Sequence, residues 1–321
     1  MEVLSSAPGK VILFGEHSVV YGEPAIAAAV DKRVYIKIKP SSSGKTILKS
    51  PSLNFEAELD SKSKKYNLKK GKPGIIRYIL EILFQYHDHS PIEITLNSNI
   101  PIGSGLGSSA AVTVATLAAL FKYHNVGFNR KSLAEKAHNV EETVQGIASP
   151  LDTLICTFGG IIYLSRSRNT QSLRINFNTP FIIGYSSKHG NTGKIVKDVR
   201  NLKNSNPKVV NHIISAMGNL ANEGKHAILN NDIEKIGELM NINHGLLDSL
   251  GVSTSELSRM VYLSRKYGAA GSKITGAGGG GSMIALCPEN IDIIAFEISK
   301  YENILKSKFT QKGVSFKVKN Y

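Results

Sequence analysis

The stretch Pro101-Ile102-Gly103-Ser104-Gly105-Leu106-Gly107-Ser108-Ser109-Ala110-Ala111 constrains this chain more than any other. Before it, Ile92 to Leu96 alternates apolar and polar residues, the period of a half-buried strand. After it, Ser109 to Tyr123 is dense in Ala, Val and Leu, with no Gly or Pro until Gly127, and reads as a buried helix. The order is therefore strand, glycine turn, helix. Glycines at every second position let the backbone pass close to something bulky. A helix starting at Ser108 or Ser109 presents amides with no partner inside the helix, at the positive end of its dipole. That is an anion site, and a phosphate chain suits it. No Gly-Lys-Ser/Thr ends the loop, so it is not a Walker loop. The G-x-G-x-G spacing, a third of the way along the chain, is not a dinucleotide fingerprint. A tight connection with glycines for packing is the plainer alternative. The paired serines weigh against it, since two hydroxyls at a helix start can cap the helix and also ligate a phosphate-bound magnesium.

Two further stretches are rich in glycine. In Ser6 to Gly22, an apolar strand core from Val11 to Phe14 has Lys10 at its entrance and Glu16 and His17 at its exit. Each polar residue alone is more often a solvated or structural group; their clustering around one short strand is what raises interest. In Lys273 to Ser282, a glycine loop feeds the apolar run Met283 to Cys287. A flexible linker rarely ends in a core strand, so this loop is expected to wrap a ligand or brace the phosphate loop.

Elsewhere, Ala25 to Val30, Val34 to Lys39 and Phe158 to Leu164 read as strands, and Gly74 to Tyr86 as a helix. Ser132 to Glu135 reads as a capping box opening a helix that stops at Gly146. That helix carries Glu141, and the connection after it carries Asp152. For Glu141 the plain alternative is a solvated face, and for Asp152 a helix cap. The polar segment Ser165 to Gln171 suggests a boundary, giving domains 1–165 and 166–321. Beyond it come a strand at Phe181 to Ser186, a loop from Lys188 to Lys194, and three helices near Pro207–Leu229, Asp232–Ser249 and Thr254–Tyr267. A helix at Ile291 to Leu305 and a last strand at Val314 to Lys319 follow.

The net charge of +14, from 39 basic and 25 acidic residues, would suit an anionic substrate. It gives little support to nucleic-acid binding, because no aromatic platform is interleaved with the basic residues. The run Lys62-Ser63-Lys64-Lys65, within Lys62 to Lys72, reads as an exposed loop. No apolar run approaches the length of a membrane span and no basic-then-apolar leader opens the chain, so the expectation is a cytoplasmic protein without a membrane partner. Cys156 and Cys287 lie in apolar contexts and read as buried thiols. Nine histidines are scattered without ligand spacing, which argues against zinc.

Together, Ala7 to His17, Pro101 to Ala111 and Lys273 to Gly280 resemble the three motifs of the small-molecule kinases for galactose, homoserine, mevalonate and phosphomevalonate. The run Gly15-Glu16-His17-Ser18-Val19-Val20-Tyr21-Gly22 is similar to the members that phosphorylate mevalonate. The resemblance implies an α+β fold of two domains, a ribosomal-protein-like N-terminal α/β domain and a ferredoxin-like C-terminal one. It implies ATP and mevalonate as substrates and Mg2+ as cofactor. Residues Pro101 to Ala111 would cradle the ATP phosphates. Glu141 and Ser108 or Ser109 would hold magnesium, the choice of serine being open. Asp152 would be the catalytic aspartate, accepting the hydroxyl proton or orienting it, with Lys10 beside it, and Glu16, His17 and Thr192 would lie near mevalonate or the reacting phosphate. Such kinases are often homodimers, and nothing in the sequence shows an interface.

Overall fold

The computed structural model describes residues 1–60, 65–88, 90–101, 103–146, 148–174, 179–186 and 190–320. Ile102, Lys62-Ser63-Lys64 and Lys188-His189, each part of a reading above, lie outside the described residues.

The chain opens with two long strands, β1 (Glu2–Phe14) and β2 (Ala25–Pro40), paired antiparallel. The two apolar runs expected after Tyr21 are one strand. Its first half, Ala25 to Val30, is buried on both faces and so reads as unbroken apolar residues; its second half, from Val34, is covered on one face and alternates. β3 (Thr46–Ser50), β4 (Phe55–Asp60) and β5 (Lys65–Lys70) extend the sheet outwards. The end of the supposed basic loop is thus an exposed edge strand, whose lysines guard it against pairing with another chain.

Next come α1 (Ile76–Tyr86), β6 (Ile92–Ser98) and α2 (Ser108–Tyr123). α2 buries twelve successive residues, Ala110 to Phe121, because sheet and helices surround it; its alanines let β1 and β2 approach closely. Truncating Leu117 or Leu120, both 0% exposed, to alanine would cost about 2–5 kcal/mol. α3 (Arg130–Gln145) is capped by Asn129, whose side chain accepts from Ser132 N while the Ser132 hydroxyl accepts from Asn129 N. The capping box therefore begins three residues before the expected Ser132, since an Asn holds the amide as well as a Ser does. α4 (Pro150–Phe158) begins with a proline suited to a first helical turn. It absorbs Asp152 and Phe158; the strand expected from Phe158 starts only after Gly159 and Gly160, as β7 (Ile161–Leu164). β8 (Thr170–Leu173) turns back on β7, so the large sheet continues across the expected 165/166 boundary.

The smaller sheet begins at β9 (Phe181–Tyr185). α5 (Thr192–Ser205), α6 (Pro207–Leu229), α7 (Ile233–Ser249) and α8 (Ser255–Lys266) follow, the last three close to expectation. β10 (Gly271–Thr275), β11 (Ser282–Leu286), α9 (Ile291–Ser299) and β12 (Asn303–Ser307) complete it. The expected helix to Leu305 is cut short because β12 pairs with β9. The spatial order β10-β11-β9-β12 is that of the ferredoxin-like βαββαβ arrangement. α7 lies tight on β10: a Cβ on Gly237 would come 2.4 Å from the Ala270 carbonyl, which only glycine permits. The last strand, β13 (Ser315–Lys319), returns to the large sheet and pairs with β1. The buried Arg33 guanidinium pins this return by donating to the carbonyls of Lys312 and Gly313. Among the described residues no helix is long and apolar enough to cross a membrane.

Candidate active site

The loop before α2 is held open by its glycines. Gly103, Gly105 and Gly107 have φ of 77°, 76° and 68°, all in the left-handed region. Gly107 is the N-cap residue of α2, so neither serine caps the helix and both hydroxyls are released for other work. The first intrahelical bond runs from Ala111 N to Gly107 O at 3.0 Å. The amides of Ser108, Ser109 and Ala110 therefore have no acceptor within the helix, while that of Ala111 is taken. Pro101 has no N–H, and its carbonyl closes the loop by accepting from the Ser104 hydroxyl at 2.7 Å. Ser104 is buried, and Leu106 points into the core.

Three distant segments meet here. Lys10 N donates to Leu106 O at 2.9 Å, fixing β1 against the loop. The Lys10 side chain then runs along it, so close that a Cβ on Gly107 would sit 2.7 Å from Lys10 Cγ. Its ammonium pairs with Asp152 Oδ1 at 3.2 Å. Asp152 stands in the first turn of α4, with Cys156 fully buried below. The N-termini of α2 and α4 thus bring two positive helix ends to one place. The third segment, Thr275 to Ser282, is tied in at both ends: the Ser282 hydroxyl donates to Ser104 O of the phosphate loop at 2.6 Å, and Thr275 Oγ1 accepts from Ile12 N of β1 at 2.8 Å.

Glu141 does not face water. It is 2% exposed, its Oε1 has no hydrogen-bond partner, and its pKa is raised to about 7. Burial is the main cause and the Asp152 charge the second; the Ser109 hydroxyl and Lys10 oppose the rise. A buried carboxylate oxygen without a donor, beside a serine hydroxyl, is the oxygen set a hard divalent cation takes, so these residues fit Mg2+. Ser109 is the serine that also neighbours the Tyr78 hydroxyl, which places it on the Glu141 side of α2.

His17 is 6% exposed, with φ 59°, and its Nε2 lies 2.9 Å from Ala277 O. A carbonyl only accepts, so Nε2 carries the proton and Nδ1 is an acceptor. Burial is the main influence on the ring and lowers its pKa, favouring the neutral form. Glu16 is held from behind: Lys273 pairs with its Oε1, and Asn243 Nδ2 donates to Oε2 at 3.1 Å. Thr192 opens α5 and is exposed; just before it, Gly190 lies against the carbonyls of Gly278 and Gly279. Lys273 and Asn243 were missed by sequence reasoning. Lys273 lay within a recognised motif without a role, and nothing marks Asn243 among the polar residues of α7. Both cysteines are buried and free, as expected; burial pushes the Cys287 thiol up to about 12.

The model of the GHMP kinases N-terminal domain matches residues 74–160 and that of the GHMP kinases C-terminal domain residues 225–303. The mevalonate kinase of Methanothermobacter thermautotrophicus is 43% identical over 98% of this chain and 100% of its own length. That of Saccharolobus solfataricus is 37% identical over 99% of this chain and 100% of its own. The crystal structure of the Methanococcus jannaschii mevalonate kinase superposes with a TM-score of 0.84 at 31% identity, covering 96% of this chain and 98% of that one. With identity of that degree running through both sheets, this chain belongs to the GHMP kinase family.

Proposed function

We propose that this protein transfers the γ-phosphate of ATP to the primary hydroxyl of mevalonate, giving 5-phosphomevalonate for isoprenoid precursor synthesis. The observation that carries the reading is the Lys10–Asp152 pair, 3.2 Å apart, at the open mouth of α2. The full-length likeness to mevalonate kinases supports the choice of alcohol.

Phosphoryl transfer needs positioning and charge neutralisation more than covalent help. The free amides of Ser108, Ser109 and Ala110 receive the phosphate chain at the helix end. Asp152 takes the proton of the attacking hydroxyl, or orients it, as the oxygen bonds to the γ-phosphorus and ADP leaves with the electron pair. Lys10 offsets the negative charge on that oxygen. Glu141 and Ser109, with Ser108 adjacent, would hold Mg2+, which supplies charge neutralisation between the phosphates. His17 offers its Nδ1 to the substrate, and Thr192 approaches from the start of α5. Glu16 acts as a positioning residue, fixing the corner that carries His17 through Lys273 and Asn243.

ADP release measured with mevalonate, phosphomevalonate, galactose and homoserine tests the reading. Turnover is expected with mevalonate. Release with another of these alcohols, and none with mevalonate, would overturn it.

A further inference from the structure

We propose that His87, His124 and Asp88 form a binding site for one divalent transition-metal ion of the zinc class, separate from the site of phosphoryl transfer. The three residues sit where two helices end. His87 is the C-cap residue of α1 and His124 that of α2, and Asp88 follows His87. α2 has 16 residues, so this cluster lies about 24 Å along the helix from the phosphate loop.

The hydrogen bonds fix which ring nitrogens turn inward. His87 Nε2 lies 2.7 Å from Ser90 O. The carbonyl accepts, so Nε2 carries the proton, and in the neutral ring Nδ1 is a lone pair. On the other ring, His124 Nδ1 lies 3.3 Å from Asp88 Oδ2. Donation to that carboxylate leaves Nε2 as a lone pair too. These two inner nitrogens, His87 Nδ1 and His124 Nε2, face each other at 3.0 Å. Two lone pairs at that distance repel unless a positive charge lies between them.

A proton shared by the two nitrogens supplies such a charge, and so does a metal ion; only the ion also takes Asp88 Oδ1, 3.5 Å from His87 Nδ1, as a ligand. A metal ion accounts for all three donors, which lie within 4.8 Å of one another. The outer contacts are those of a metal-ligating histidine, whose remaining N–H goes to a carbonyl or carboxylate and fixes the tautomer. Asp88 is itself positioned by the Ser90 amide at 3.0 Å and hydroxyl at 2.7 Å. Both helix ends present the negative pole of their dipoles to the cluster. The His87 side chain is 0% exposed and that of Asp88 59% exposed, so the site is anchored on one side and open to solvent on the other. Two imidazoles and one carboxylate are the donor set of zinc and its neighbours, not of magnesium.

The test uses the full chain, stripped with a chelator and titrated calorimetrically with Zn2+ without nucleotide. Co2+ is then added in place of Zn2+, and its ligand-field absorption is read. One equivalent of Zn2+ is expected to bind and to raise the melting temperature. Asp88→Asn and His124→Gln should each weaken binding by at least about 10-fold and abolish the Co2+ band. Both variants change groups that reach solvent, and both should keep wild-type turnover with Mg-ATP. Absence of stoichiometric binding to the wild type would overturn the proposal. So would equal binding to the two variants, or binding lost on Glu141→Gln.

Discussion

Lys273 and Glu16 form an ion pair sealed from solvent, with side chains 0% and 1% exposed, joining β10 of the small sheet to the corner after β1 of the large one. The Lys273 ammonium also donates to the carbonyls of Ile12 and Ile274. Burial lowers its pKa, and Glu16 opposes that shift. Removing one partner strands a charge in the core. Glu16→Gln is expected to lower stability by about 3–5 kcal/mol in chemical denaturation. The double variant Glu16→Gln with Lys273→Met should recover part of that loss, because neither charge is then buried alone. An additive double variant would show that the pair does not act as a unit.

Asp152→Asn keeps the shape of the side chain and removes its basicity. It is expected to lower kcat by about 10²–10⁴-fold with little change in melting temperature. Full activity in this variant would remove Asp152 from the mechanism. Lys10→Met should lower kcat as well, without strengthening nucleotide binding.

Glu141 gives a pH dependence whose sign follows from its raised pKa. The folded protein holds the proton up to about 7, whereas the ordinary value is 4.5. Between these values the native state binds more protons than the unfolded one. This group's contribution to stability is therefore full below about 4.5 and lost as pH rises through about 7. Glu141→Gln should flatten that fall, measured as melting temperature against pH without Mg2+. Protons and metal compete for the same oxygen, so the apparent affinity for Mg2+ in the presence of nucleotide should rise with pH through the same window.

Gly107→Ala tests the loop itself. The new Cβ would meet Lys10 Cγ at 2.7 Å, at a residue whose φ of 68° already disfavours a side chain. Destabilisation of about 1 kcal/mol or more is expected, with a fall in kcat from the displaced Lys10. Ala110→Gly, in the first turn of α2, adds no atom against Lys10 and should retain far more activity.

The site was legible where its chemistry is local. The loop from Gly103 to Gly107, the apolar α2 and the long helices α6 and α7 carry their signals in consecutive residues, and the structure has them where the sequence indicates. Glu141 and Asp152 could be marked as candidate carboxylates, but their roles came only through resemblance; their burial and mutual approach depend on how α3 and α4 pack. Lys273 stood in a recognised motif without a role and Asn243 left no signal, because a buried polar contact between distant segments is invisible to periodicity. The histidine cluster escaped for the same reason. His87 and His124 are 37 positions apart, and only the meeting of two helix ends brings them together. α5 was hidden by its glycine and polar start, and its Asn191 cap becomes evident only from the bond to Lys194 N.

The polypeptide crosses between its two sheets twice, outward after β8 and back after β12. Between those crossings, Phe181, Ile183, Ile284 and Leu286 of the small sheet lie in one buried apolar cluster with Leu13, Phe14 and Ile26 of the large one. Parting the sheets would expose that shared interior to water. The two are therefore expected to melt as one cooperative unit, and the mouth that faces the nucleotide takes its shape from folding itself.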